Sequence, residues 1–137
     1  ISFNIIDMDH GLVAAILNDY FNIAVRNECF CAHPYVEKML HMTHAEELKQ
    51  LDCLDDHLTW KVEPWMGMVR ASMGLYNTKD DIDNLISALS NIIQNKSKFS
   101  DEYIINENGD YQHKTFNFSS KDFFSLTGAI DQNIISK

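Results

Sequence analysis

Residues Arg26 to Val36 read RNECFCAHPYV, which sets two cysteines one residue apart, follows them with a histidine and a proline, and precedes them with an arginine. Three chemistries compete for such a stretch: a metal site, a disulfide, and a reactive thiolate. Three cysteines in 137 residues make no disulfide framework, so a special role here is reactive or metal-binding. For a metal, Cys29, Cys31 and His33 alternate along an extended segment, and His41, His44, Cys53 and His57 follow as H-x2-H and C-x3-H. The first trio lacks the C-x2-C knuckle, and histidines on helices also simply face water, so no metal ligand is assigned. A thiol becomes a nucleophile when it is partly exposed, when a neighbour lowers its pKa, and when it sits on a loop that can meet a substrate. Cys31, with Arg26 upstream and His33 two residues on, meets these conditions better than Cys29; the alternative is a small buried cysteine filling a gap in the core.

Arg70 is the second candidate. It interrupts a run of Val69, Ala71, Met73 and Leu75 at strand spacing, so it falls on the face opposite the aliphatic set. Burying an arginine there requires an anion, and its planar fork suits a carboxylate, either from one of the chain's own acids or from a substrate.

The elements that must position these residues follow from periodicity. ISFNII alternates as an entry strand. Asp9 is an N-cap for a helix over residues 10–21, whose stripe is Leu12, Val13, Ile16, Leu17, Tyr20 and Phe21. Ile23 to Val25 form a second strand, and the cysteine stretch leaves from its end. Pro34 excludes His33 from helix and opens a short helix from Tyr35 to about His41. Thr43 with Glu46 caps a further helix running to about Asp55, and residues 68–76 form a third strand. Thr78 with Asp81 caps a helix over 79–95, with Ile82, Leu85, Ile86, Leu89, Ile92 and Ile93 in helical period. Asn108-Gly109-Asp110 marks a hairpin, and the last twenty residues carry a weak helical period. The expected fold is α+β, two-layered, with a mainly antiparallel sheet of about three strands and helices on one face.

Composition narrows the partners. Eleven Lys and Arg against 20 Asp and Glu leave a net charge of -9, which repels nucleic acid and anionic lipid. No run reaches the length of a membrane span and the opening residues lack a signal-peptide pattern, so a cytoplasmic setting is expected.

Set side by side, ISFNI, IAVRNECFCAHPYV and VRASMGLYNTKDDIDNLISAL resemble the C-terminal small domain of class V aminotransferase-fold enzymes. These are the pyridoxal-phosphate group that includes cysteine desulfurases and selenocysteine lyases. The most specific of the three is R-A-S-x-x-x-Y-N-T followed by a helix with an acidic start. The resemblance implies the small domain of a fold type I transferase over residues 1–98, with a helical insert at 37–66 and an extension at 99–137. It implies that Cys31, in a pattern R-x-G-x-x-C-A-x-P, is the catalytic cysteine that accepts substrate sulfur as a persulfide while alanine is released. It implies that Arg70 binds the substrate carboxylate and that Arg26 lines the site. The chain departs from the pattern at Glu28, where the family has glycine, and in the length of the insert; a carboxylate at Glu28 disfavours the Cys31 thiolate. Other class V chemistry, namely transamination, epimerisation or lyase action, would keep Arg70 without needing Cys31. Outside the class stands a non-catalytic interaction or metal-binding module. The resemblance further implies that pyridoxal phosphate is held by a large domain whose motifs have no counterpart in these residues. The fragment alone would then be inactive, its partners being an amino-acid substrate, the large domain and, in the full-length enzyme, a second copy.

Overall fold

The computed structural model of the chain describes residues 1–28, 32–43 and 67–116. Strand β1, Ser2–Phe3, pairs antiparallel with β2, Val69–Arg70, placing Ser2 opposite Arg70 and Phe3 opposite Val69. Ile1 and Ala71 extend the ladder by exchanging both backbone hydrogen bonds at 2.9 Å. On its other side β2 meets the chain at an isolated antiparallel bridge between Arg26 and Arg70. The third strand expected at Ile23–Val25 is therefore reduced to a bridge. Its start is taken by the end of the preceding helix, because the Ile23 N–H donates to Leu17 O at 2.9 Å.

Helix α1, His10–Phe21, has the expected bounds. Asp9 accepts from the Gly11 and Leu12 amides at 2.6 and 3.2 Å, which satisfies two of the donors a helix start leaves open. Left-handed Asn22, φ 54°, closes the other end, its amide donating to Asn18 O at 3.1 Å and the Ile23 amide reaching back to Leu17 O. Leu12, Val13, Ile16 and Leu17 are buried on one stripe, with Val69, Ile5, Ala88 and Ile92 in the same core. Helix α2, His33–Leu40, starts two residues earlier than the proline suggests, with Pro34 in its first turn and Ala32 as N-cap. A proline restricts the residue before it but is well suited to a helix start, so His33 enters as the boundary residue.

Helix α3, Lys79–Gln94, carries the complete capping box: the Thr78 amide donates to Asp81 Oδ2 at 2.8 Å and the Asp81 amide to Thr78 Oγ1 at 3.4 Å. The strand expected to run through residue 76 ends at Arg70. Beyond Ala71 the chain turns, with Asn77 N–H donating to Gly74 O and Gly74 N–H to Asn77 Oδ1, and Met73, Leu75 and Tyr76 are exposed. Local turn chemistry ahead of the cap thus outcompetes the alternating pattern.

Helix α4, Lys96–Glu102, leads into a hairpin of β3, Tyr103–Ile105, and β4, Tyr111–His113, at the expected turn, where Gly109 takes φ 88°. Phe99 and Tyr103 are buried in the core of α1. Tyr103 donates to Asp19 at 2.9 Å; burial first and Asp19 second push its hydroxyl pKa up. Tyr20 donates to Glu102 at 2.5 Å, which raises its own to about 12. The described residues thus form an α+β domain of four helices and two small antiparallel sheets, in place of one sheet of about three strands. Among them no helix is long and apolar enough to cross a membrane. The helix expected after Thr43, most of the insert and the closing helix fall outside the described residues.

The cap makes a direct test. Thr78→Ala should lower stability by about 1 kcal/mol, read as a shift of the urea midpoint with the slope retained. An unchanged midpoint would contradict the role given to the box.

Candidate functional site

The site is built by strand alternation. Val69, in the core of α1, and Ala71 are buried at 0% and 6% exposure on one side of the strand, so Arg70 between them projects from the opposite face. Arg26 and Arg70 exchange both backbone bonds, at 3.1 and 2.7 Å, and residues opposed in this way send their side chains to the same side with Cα atoms about 5.5 Å apart. Ser2, opposite Arg70 on the other flank, shares that side. Two guanidinium groups therefore leave one face of the sheet as neighbours. Like charges set opposite each other repel, so the arrangement favours an anion between or beside them. Arg26 is exposed and Arg70 half-buried, with its Nε covered.

That face has its own small apolar floor. Met68, one residue out of phase with Val69, is buried against Val36 of α2, with Leu40 packed beside them. The helices consequently lie on both faces: α1 and α3 share the main core, and α2 covers part of the arginine side. This corrects the expectation that all helices occupy one face. Strand spacing forces the outcome, because neighbouring residues Met68 and Val69 are both buried and each needs a layer.

Cys31, with Cys29, lies outside the described residues, but the two ends that hold its segment are described. Upstream, Glu28 O accepts from Met68 N–H at 3.1 Å, and Glu28 adopts φ 74°, the left-handed region that glycine occupies without penalty. The glycine-like backbone is kept and a glutamate bears the strain. Downstream, Cys31 immediately precedes Ala32, the N-cap of α2, an end with no side-chain cap, where the helix dipole favours an anion.

His10 was not singled out by its residue type, yet it is the one buried polar side chain among the described residues, at 7% exposure. The Asn27 side-chain nitrogen lies 3.4 Å from its Nδ1, and its Nε2 is buried without a hydrogen-bond partner. A Cβ at residue 67 would lie 2.3 Å from Nε2, so only glycine fits there, and Asn4 donates to the Gly67 carbonyl at 2.9 Å. Burial lowers the His10 pKa against the opposing pull of Asp9 and Glu28. The signal for its burial was in the spacing: His10, Val13 and Leu17 lie on one helix stripe, and Ile23, Val25 and Asn27 alternate inward.

No three His, Cys, Asp or Glu side chains gather as a metal site among the described residues; Cys29, Cys31, His44, Cys53 and His57 of the zinc-like sets lie outside them. Of the described lysines, Lys79 is paired with Asp83 and Lys96 and Lys114 are held by the Ile6 and Asp101 carbonyls, while the starts of α1 and α3 are closed by Asp9 and Thr78.

Comparison with known proteins bears on what this face serves. A family model described as aminotransferase class-V matches residues 1–85. Over 91 residues, 64% of the chain, it is 30% identical to a molybdenum cofactor sulfurase of Bombyx mori, of which it spans 11%. No solved structure matches.

Two outcomes follow. Glu28→Gly should raise stability by about 0.5–1 kcal/mol, because relief of the left-handed strain exceeds the entropy glycine adds to the unfolded chain; a loss in chemical denaturation would contradict the strain. As pH falls below 6.5, the ordinary histidine value, the unfolded chain takes up a proton that folded His10 resists, so stability falls. His10→Asn, which does not titrate, should show a shallower loss between pH 6.5 and 5.

Proposed function

This chain belongs to the class V aminotransferase family, and from that membership we propose that it is the substrate-binding small lobe of a pyridoxal-phosphate enzyme that removes sulfur from cysteine. The observation that carries this is the pairing of Arg26 with Arg70, which sets two cations side by side at the foot of the segment bearing Cys31. Arg70 holds the substrate carboxylate through its fork, and Arg26, on the same face, adds charge and orients it. Three residues beyond Glu28 and immediately ahead of α2, the Cys31 thiolate accepts the substrate sulfur as a persulfide, and alanine leaves. The dipole of α2 favours the thiolate, while Glu28 opposes it. The name of the Bombyx mori relative, a sulfurase, supports sulfur chemistry over other reactions of the class.

Pyridoxal phosphate, when bound by the rest of the parent enzyme, supplies the electron sink. In this reading Arg70 and Arg26 contribute carboxylate binding and a large domain holds the ring, so the lobe acts only when docked on that domain. A homodimeric parent in the cytoplasm completes the proposal. Transamination, epimerisation or lyase action on another amino acid is the alternative, and it would retain the arginines while leaving Cys31 idle.

Cys31→Ala in the full-length enzyme should abolish persulfide formation from L-cysteine while the cofactor's absorbance stays in place. Sulfide release equal to the parent's would refute the assignment and favour the alternative. Arg70→Ala should raise KM for the amino acid by about 30- to 150-fold, the loss of a charge-assisted pair worth about 2–3 kcal/mol, with a smaller rise for exposed Arg26→Ala. A KM unchanged in Arg70→Ala would remove it from the substrate site.

A further inference from the structure

Away from the arginine face, the hairpin of β3 and β4 is fastened to α1 by a chain of side-chain hydrogen bonds that the proposed chemistry does not use. His113, which ends β4, lies between Tyr20 of α1 and the turn that follows it in sequence. Its Nε2 is 2.9 Å from the Tyr20 hydroxyl, and that hydroxyl is 2.5 Å from Glu102 of α4. Its Nδ1 faces three donors: the Thr115 amide at 3.2 Å, the Phe116 amide at 2.9 Å and the Thr115 hydroxyl at 3.3 Å. The rings of Tyr20, Tyr103 and Phe116 stand about the imidazole, with centroids 5.7, 5.1 and 6.4 Å away.

These contacts fix where each proton sits. A backbone amide only donates, so Nδ1 accepts and the neutral ring carries its proton on Nε2. Nε2 donates that proton to the Tyr20 oxygen, and Tyr20 donates its own to Glu102. The bond to Glu102 pushes the Tyr20 hydroxyl up to about 12, so Tyr20 keeps its proton at neutral and acid pH. The chain therefore runs in one direction, from the Phe116 amide through the imidazole and the phenol to the Glu102 carboxylate.

We propose that His113 is an acid-operated latch on the turn that follows the hairpin. With Nε2 already protonated, a second proton enters only at Nδ1, where it meets the Thr115 and Phe116 amides, neither of which can accept it. The Thr115 hydroxyl can turn round and accept; the two amides must leave. The ring keeps Tyr20 through Nε2, so the acid form releases the turn at Thr115 and Phe116 while the hairpin stays on α1. Among the described residues the charged groups about the ring are Glu102, reached through Tyr20, Asp19, bonded to the Tyr103 hydroxyl, and Lys114, whose amine is held by the Asp101 carbonyl. The response itself comes from the donors gathered at Nδ1, which none of these charges alters. The latch rests on no part of the sulfur chemistry proposed above.

The test uses the full-length protein with selective isotope labels on histidine and phenylalanine, followed by magnetic resonance from neutral to mildly acidic pH. At neutral pH the His113 ring should carry its proton on Nε2. As the ring takes up its second proton, the protection of the Phe116 amide against hydrogen exchange, relative to the unstructured chain, should fall about fivefold, the loss of one turn hydrogen bond. His113→Asn places a side-chain oxygen that does not titrate near the Nδ1 position, so Phe116 protection should stay within about twofold over the whole range. His113→Leu offers no acceptor and should hold Phe116 at the acid level throughout. A ring protonated on Nδ1 at neutral pH would overturn the proposal, as would Phe116 protection that stays constant while the ring titrates, or a His113→Asn variant that loses protection as the wild type does. Should either variant not fold, the wild-type titration decides alone.

Discussion

Val69 and Arg70 are hydrogen-bonded on both flanks, by Ile1–Phe3 on one side and by Arg26–Glu28 on the other, and most of the molecule depends on that double pairing. A strand held from both sides cannot slip by one residue without sending its apolar side chains into solvent. Here a slip would expose Val69 and drive a guanidinium into the core of α1, a cost far beyond what any surface contact could offset. Register thus locks core and site together: the same alternation that buries Val69 and Ala71 presents Arg70 beside Arg26.

Two cations lie together on one face of a chain whose net charge is -9. Acidic surroundings weaken nonspecific attraction of phosphate polymers but leave a local fork able to hold a small carboxylate, since screening acts over about 10 Å while a bidentate pair acts at contact. At the borders of the cysteine segment, the start of α2, which has no side-chain cap, favours negative charge and the Glu28 carboxylate opposes it.

Local strain and an orphaned polar atom meet at one place. Glu28 holds a left-handed backbone, and one residue, Asn27, separates it from Arg26; His10 lies nearby with a buried nitrogen that finds no partner. Elsewhere the starts of α1 and α3 are capped by Asp9 and Thr78, and the hairpin is tied by Asn106, whose side chain accepts from the Asn108 and Asp110 amides at 2.9 Å. A fold that satisfies its backbone in these places and tolerates two costs side by side concentrates them where the segment of interest enters.

Amino-acid order alone determined helices α1 and α3 and the hairpin turn, whereas α4, Lys96–Glu102, was not legible in it. Asp9 and Thr78 announced their helix starts because capping needs only a few neighbouring residues, and the hairpin followed from Asn-Gly-Asp for the same reason. Arg70's separation from its aliphatic neighbours was equally legible, since strand alternation is a property of the backbone itself. Three things required the tertiary structure. The segment at Ile23–Val25 has every local mark of a strand, but pairing is a contest for partners, and α1's cap claimed its first amide. Arg26 became Arg70's neighbour through a register spanning 44 residues, by subtraction of their positions, which no local pattern encodes. Glu28 kept the glycine-like turn because hydrogen bonds from β2 and its flanks impose the backbone there, and a side chain's preference of about 1 kcal/mol yields to several such bonds acting together.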